Sequence, residues 1–152
     1  MKLLVLTAFL SSIPFASAQE EYPCEFEGVK TIKIDVYPEA PGSQQVDYKF
    51  QVIGDVDPEK LVILHIPGGP GGTSMNDFSQ KHIRDSFIEG GLPADIPWIM
   101  TDPRTAGCNK GDEKIYPDES LTSANLAHDI LSVIEKLKLK KYIIHGHSYG
   151  TQ

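Results

Sequence analysis

The chain has 152 residues and a formal net charge of −7, with 40% hydrophobic and 23% charged residues. That length suits one domain with a buried core, at an ordinary globular balance. The negative charge and the lack of any Lys/Arg run argue against a nucleic-acid partner. No internal repeat or low-complexity tract interrupts the chain.

Residues 1–18 have the form of a secretory leader. Lys2 supplies the positive start, residues 3–15 are mostly apolar, and Ala16-Ser17-Ala18 offers the small residues a signal peptidase reads. The apolar stretch is too short and too rich in Ser and Pro for a membrane span. The alternative is a buried N-terminal helix. The leader reading makes residues 19–152 a partial domain, secreted or periplasmic, with no membrane association after cleavage. It also puts the two cysteines, Cys24 and Cys108, in an oxidising compartment. They can form one disulfide or remain two thiols, because sequence does not give their separation.

Elements follow in order. In residues 31–37, Ile32, Ile34 and Val36 alternate with Lys33 and Asp35, a half-buried strand. Turn residues fill 38–43, and 46–53 alternates again through Val46, Tyr48, Phe50 and Val52. The pair reads as an antiparallel hairpin at a sheet edge. Leu61-Val62-Ile63-Leu64 is continuously apolar, as in a strand covered on both faces. A helix is expected over 77–89, ended by Gly90-Gly91. A short strand follows at 98–101, then a polar loop over 102–119. The next helix is capped by Thr122 or Ser123 and places Leu126, Ile130, Val133, Ile134 and Leu137 on one face. Residues 138–141 end it, with positive charge suiting the helix dipole. Tyr142-Ile143-Ile144 is another buried strand. Helices alternating with apolar strands predict an α/β fold with a parallel sheet and right-handed crossovers.

Two glycine motifs end strands. Gly146-His147-Ser148-Tyr149-Gly150 has the form Gly-x-Ser-x-Gly, a nucleophile elbow in which a tight strand-to-helix turn lifts the serine hydroxyl clear of the sheet. The glycines Gly146 and Gly150 are needed where a side chain would strike a neighbouring element. The alternative is a Gly-rich strand end with an ordinary serine. After the third strand comes Gly68-Gly69-Pro70-Gly71-Gly72, placed to supply the second backbone N–H of an oxyanion hole, the first coming from Tyr149. The alternatives are a plain Gly/Pro turn, or a phosphate-binding loop, which lacks the Lys-Ser/Thr of a P-loop. None of the five histidines has metal-ligand spacing, and attack by a serine backed by an oxyanion hole needs neither metal nor organic cofactor.

Residues 64–72 (LHIPGGPGG), the Asp102-Pro103-Arg104 turn and Gly146-His147-Ser148-Tyr149-Gly150-Thr151 together resemble the prolyl aminopeptidase and tripeptidyl aminopeptidase family of α/β-hydrolases. The likeness runs from about residue 31 to the last. It implies the N-terminal half of an α/β-hydrolase fold, with Ser148 as nucleophile and Gly69 and Tyr149 as oxyanion donors. The substrate is then a peptide, with ester hydrolysis as the near alternative. Three departures stand out. Pro67 replaces the family's usual His, Thr105 replaces a glycine and Asn109 a serine. Asp102 and Arg104 are read as holding loops together by ion pairing. In this fold the triad runs Ser, acid, His along the chain, yet His65, His82, His128, His145 and His147 all precede Ser148. Of these, only His65, at the end of the third strand, is placed for an unusual base. The acid and histidine are therefore expected downstream, and the 152 residues are expected to be a fragment or truncated product, inactive alone. The last strand would then offer an unpaired, aggregation-prone edge. In the family, specificity comes from a cap domain beyond this region. The rival reading is a non-catalytic remnant or binding protein.

Overall fold

The computed structural model describes residues 24–42, 44–69 and 71–151. The leader reading of residues 1–18 lies outside them. Seven principal elements follow in order: β1 (Val29–Asp35), β2 (Gln45–Ile53), β3 (Leu61–Ile66), α1 (Asp77–Glu89), β4 (Trp98–Thr101), α2 (Ser123–Leu137) and β5 (Lys141–Gly146). Short 3₁₀ turns occupy Gly107–Asn109, Asp118–Ser120 and Ser148–Thr151.

The strands form one sheet in the order β1-β2-β4-β3-β5. β1 and β2 are an antiparallel hairpin, in register from Val29↔Gln51 to Asp35↔Gln45. β4 then lies between β2, to which it is antiparallel, and β3, to which it is parallel. β5 pairs parallel to β3 from Leu61↔Lys141 to Ile66↔Gly146. The expected hairpin therefore leads into a parallel portion, and the last strand reaches two residues beyond the expected 142–144.

Alternation within the central strands feeds both faces. Val62 and Leu64 of β3 join Tyr48, Phe50 and Ile99 in one core, closed by Ile130, Val133 and Ile134 of α2. Ile63, Trp98 and Met100 face the other way, with Ile83 and Phe87 of α1 packed over them. Each fully buried side chain of this size stabilises the fold by about 1.5–3 kcal/mol over exposure. The helices start where their caps allow: Asn76 accepts the Ser79 N–H at 2.8 Å, and the Thr122 hydroxyl accepts the Asn125 N–H at 3.1 Å. Lys138, in the left-handed conformation, ends α2. β5 forms one edge of the sheet, and Tyr142, Ile143 and Ile144 are 40%, 48% and 48% exposed. Cys24 and Cys108 form a disulfide with their Cα atoms 5.4 Å apart. No helix of the described residues is long and apolar enough to cross a membrane.

Candidate active site

β3 and β5 run parallel and end together, so their C-terminal loops meet. Beyond Gly146 the pairing continues for one more bond, His147 N–H to the Ile66 carbonyl at 3.2 Å. The chain then turns sharply. Ser148 adopts φ 50, a left-handed conformation that costs a non-glycine residue. The 3₁₀ turn begins at this residue, and Gly150 N–H donates back to the His147 carbonyl at 2.9 Å. The turn closes only because two positions lack a side chain. A Cβ at Gly146 would collide with the Gly150 carbonyl oxygen, and one at Gly150 would sit 2.7 Å from the carbonyl oxygens of both Ile66 and Pro67. Ser148 itself is exposed.

The glycine loop after β3 lies against this elbow. A Cβ at Gly68 would come within 2.7 Å of His147 Nδ1 and 3.2 Å of the Ser148 Cβ. Gly72 folds back so closely that its Cβ would overlap the Gly68 carbonyl, and Gly71 takes φ 83. Gly69 and Tyr149, the two expected oxyanion donors, border the same cleft of about 160 Å³. Tyr149 lies in the first turn of its 3₁₀ segment, where backbone N–H groups lack partners within the helix.

Asp102 fixes the far end of the glycine loop. Its carboxylate accepts the Ser74 N–H at 2.6 Å and the Met75 N–H at 3.1 Å on one oxygen, and the Cys108 N–H at 3.0 Å on the other. Its carbonyl accepts the Tyr48 hydroxyl at 2.9 Å and the Asn109 amide at 2.7 Å. Burial raises its pKa, and the amides of Cys108, Ser74 and Met75 pull it back down. The expected ion pairing is therefore corrected at Asp102, whose partners are backbone amides. Arg104 pairs with Asp129 instead, by two bonds of 2.7 Å, and also donates to the carbonyls of Val36, Asp35 and Ser120 at 2.6, 2.9 and 3.3 Å. Burial alone would lower the guanidinium pKa, but Asp129 outweighs it and raises it. Sequence reading passed over Asp129. The available signal was an acidic residue within the apolar stripe of α2, between Leu126 and Val133, where only a buried partner makes it tolerable.

His65 is not placed as a base for Ser148. It is buried on the α1 face of the sheet, with Nδ1 2.8 Å from His145 Nδ1 across the β3–β5 pair. The rings stack at 4.9 Å, and Phe87 meets His145 edge-on at 4.7 Å. Burial, then the neighbouring His145 and His147, push the His65 pKa down to about 4, and burial with His147 lowers that of His145. Two facing ring nitrogens at this distance share one proton, so at least one of the two imidazoles is neutral. Among the described residues no three His, Cys, Asp or Glu side chains converge to hold a metal ion.

No family model and no curated protein matches this sequence. Among solved structures, a presumed hydrolase from Agrobacterium vitis S4 aligns at TM-score 0.55 and 18% identity, over 80% of this chain and 41% of that one. A presumed acetyl xylan esterase from Bacteroides fragilis NCTC 9343 aligns at TM-score 0.46 and 15% identity, over 84% of this chain and 40% of that one. The chain thus spans well under half the length of these proteins. At such identity the likeness to the Agrobacterium protein concerns fold alone. With the observed strand order and the flanking helices, it shows that this chain has the N-terminal half of an α/β-hydrolase fold.

Proposed function

We propose that this chain carries the nucleophile and the oxyanion hole of an exported serine hydrolase. The observation that carries the reading is the elbow: Ser148 held left-handed and exposed at the end of β5, between glycines that leave no room for a Cβ, with the Gly68 backbone against it. Strain of this kind costs about 1–3 kcal/mol and persists where the geometry is used. The Ser148 hydroxyl oxygen attacks the substrate carbonyl carbon as its proton passes to a general base, and the carbonyl oxygen becomes negative. The amides of Gly69 and Tyr149 stabilise that oxyanion. Collapse breaks the bond to the leaving alcohol or amine, which takes the proton. Water then adds to the acyl-serine and releases the acid, restoring the hydroxyl. The general base comes from outside residues 24–151.

The finer reading is an aminopeptidase that releases N-terminal residues, supported by the resemblance of the three motifs to the prolyl and tripeptidyl aminopeptidases. Export is supported by the leader pattern at 1–18 and agrees with the Cys24–Cys108 disulfide. A fluorophosphonate probe on the full-length natural product tests the core claim. Labelling that disappears in Ser148→Ala is expected, and a folded product that takes no label refutes it. Aminoacyl arylamides set beside aryl esters then separate peptidase from esterase, since an esterase cleaves only the latter.

A further inference from the structure

The two loops of the site leave the sheet from neighbouring strands, the glycine loop from β3 and the elbow from β5. His65 and His145 lie directly opposite each other on these strands, and the next pair, Ile66↔Gly146, ends the ladder. Gly146 has no side chain to reach across. The bond between His65 Nδ1 and His145 Nδ1, at 2.8 Å, is therefore the final side-chain link in the ladder before Gly68 and Ser148. Both rings are held from outside the pair. His65 is buried, its carbonyl accepts the Thr101 hydroxyl at 3.0 Å, and Phe87 of α1 meets the His145 ring edge-on at 4.7 Å. The loops beyond the pair touch, since a Cβ at Gly68 would come 3.2 Å from the Ser148 Cβ. A small shift of either strand end would thus change how the elbow meets the oxyanion loop.

The bond tolerates one added proton but not two. It needs an N–H on one ring facing a lone pair on the other. A first proton goes to an outer ring nitrogen and leaves that arrangement intact. A second puts two N–H groups and two positive charges face to face, and nothing nearby offsets them. Among the described residues, His82 of α1 and His147 after β5 are the other titratable groups lining the cavity at the pair, and no carboxylate, lysine or arginine lines it. β4 brings only the uncharged Trp98 and Met100 to this face.

We propose that the His65–His145 bond is a positioning device of the serine hydrolase, that it fixes the nucleophile elbow against the oxyanion loop, and that a second proton on the pair releases it, so that the enzyme has an acid limit separate from that of its general base. The role rests on the serine-hydrolase reading. Burial, then His145 and His147, push the His65 pKa down to about 4, below the range of an ordinary histidine base at about 6.5.

The test is fluorophosphonate labelling of the full-length natural product, with the rate resolved into kinact and KI. At pH 7.5, His65→Leu is expected to lower kinact at least tenfold with KI within about threefold, because misplacement of the reacting groups, not binding, is what changes. Asparagine puts its amide where Nδ1 was, donates or accepts, and takes up no proton. His65→Asn is therefore expected to recover kinact to within about threefold of wild type. The ratio of the His65→Asn rate to the wild-type rate should stay constant above pH 5.5 and rise about fourfold by pH 3.5, with circular dichroism showing both proteins folded there. If either unfolds by that pH, the split at pH 7.5 decides. If His65→Leu does not fold, His145→Leu, at a half-exposed position, breaks the same bond. A leucine variant that is folded and keeps kinact within twofold, an asparagine variant no faster than leucine, or a ratio flat to pH 3.5 overturns the positioning role and leaves the hydrolase reading intact. A folded wild-type protein that takes no fluorophosphonate overturns both.

Discussion

Removing Asp129 is the sharpest test of how the site's scaffold is held. The Arg104 and Asp129 side chains are 4% and 0% exposed, and the two bonds between them are 2.7 Å each. Asp129→Ala leaves a guanidinium that cannot deprotonate in a site buried from solvent. Breaking one half of a buried pair costs about 3–5 kcal/mol, against a total stability of about 5–15 kcal/mol for a domain. Arg104→Met should cost a similar amount, because it strands the carboxylate and leaves the carbonyls of Val36, Asp35 and Ser120 without donors. The double variant Arg104→Met/Asp129→Ala removes both charges, so its cost should fall short of the sum of the singles by about 2–3 kcal/mol. Urea unfolding of the three purified variants, followed by far-UV circular dichroism, gives the coupling. A cost below about 1 kcal/mol for Asp129→Ala, or additive singles, would refute the argument that an isolated buried charge dominates here.

The remaining predictions concern the disulfide, the histidine pair and the elbow. Cys24 and Cys108 are 84 residues apart in sequence, so loop-closure entropy puts the stabilisation near its upper range, about 4 kcal/mol. Dithiothreitol should lower the urea midpoint accordingly, and an unchanged midpoint contradicts this. His65 has a folded pKa of about 4 against 6.5 when unfolded, so between these values the unfolded chain binds more protons. Its contribution is fully present above pH 6.5 and is lost as the pH falls towards 4, by at most about 3 kcal/mol. Urea midpoints at pH 7.0 and 4.5 should therefore differ less in His65→Gln than in the wild type, whereas equal differences would show that His65 does not titrate this way. Gly150→Ala places a methyl 2.7 Å from two backbone carbonyl oxygens and should cut fluorophosphonate labelling of Ser148 at least 100-fold. Labelling at the wild-type rate would show that the elbow is looser than this packing.

Local pattern was enough for elements whose ends are decided locally. α1 and β4 fall on the expected 77–89 and 98–101, because caps and a four-residue apolar run mark them without reference to the rest of the chain. β1 is different. Alternation alone places it at 31–37, but it pairs from Val29 to Asp35, since a strand ends where its partner β2 ends. Val36 is buried all the same, and its carbonyl goes to Arg104 instead of to a strand. The insertion of β4 between β2 and β3 has no local signal, because it depends on contacts between segments far apart in sequence. The same holds for the partners of Asp102 and Arg104. Their types announce buried polar work, but only the fold decides that one meets amides and the other meets α2.

The strained positions divide by what surrounds them. Among the described residues three non-glycine residues have positive φ: Lys138, Thr105 and Ser148. Lys138 ends α2, where its N–H satisfies the carbonyls of Glu135 and Ile134, so helix termination explains it. No helix end explains Thr105 or Ser148. Ser148 opens a turn directly against the glycine loop, and Thr105 stands on the cleft wall shared by Gly69 and Tyr149. Glycine would relieve either backbone, but at Ser148 it would remove the hydroxyl and at Thr105 the wall. The two residues sit on separate loops, after β5 and after β4, and each loop is anchored independently: one by the close glycine contacts with β3, the other by the buried Arg104 fork. Strain held at two loops around one cleft, each by its own buried support, is what a site needs in order to keep its shape before a substrate arrives.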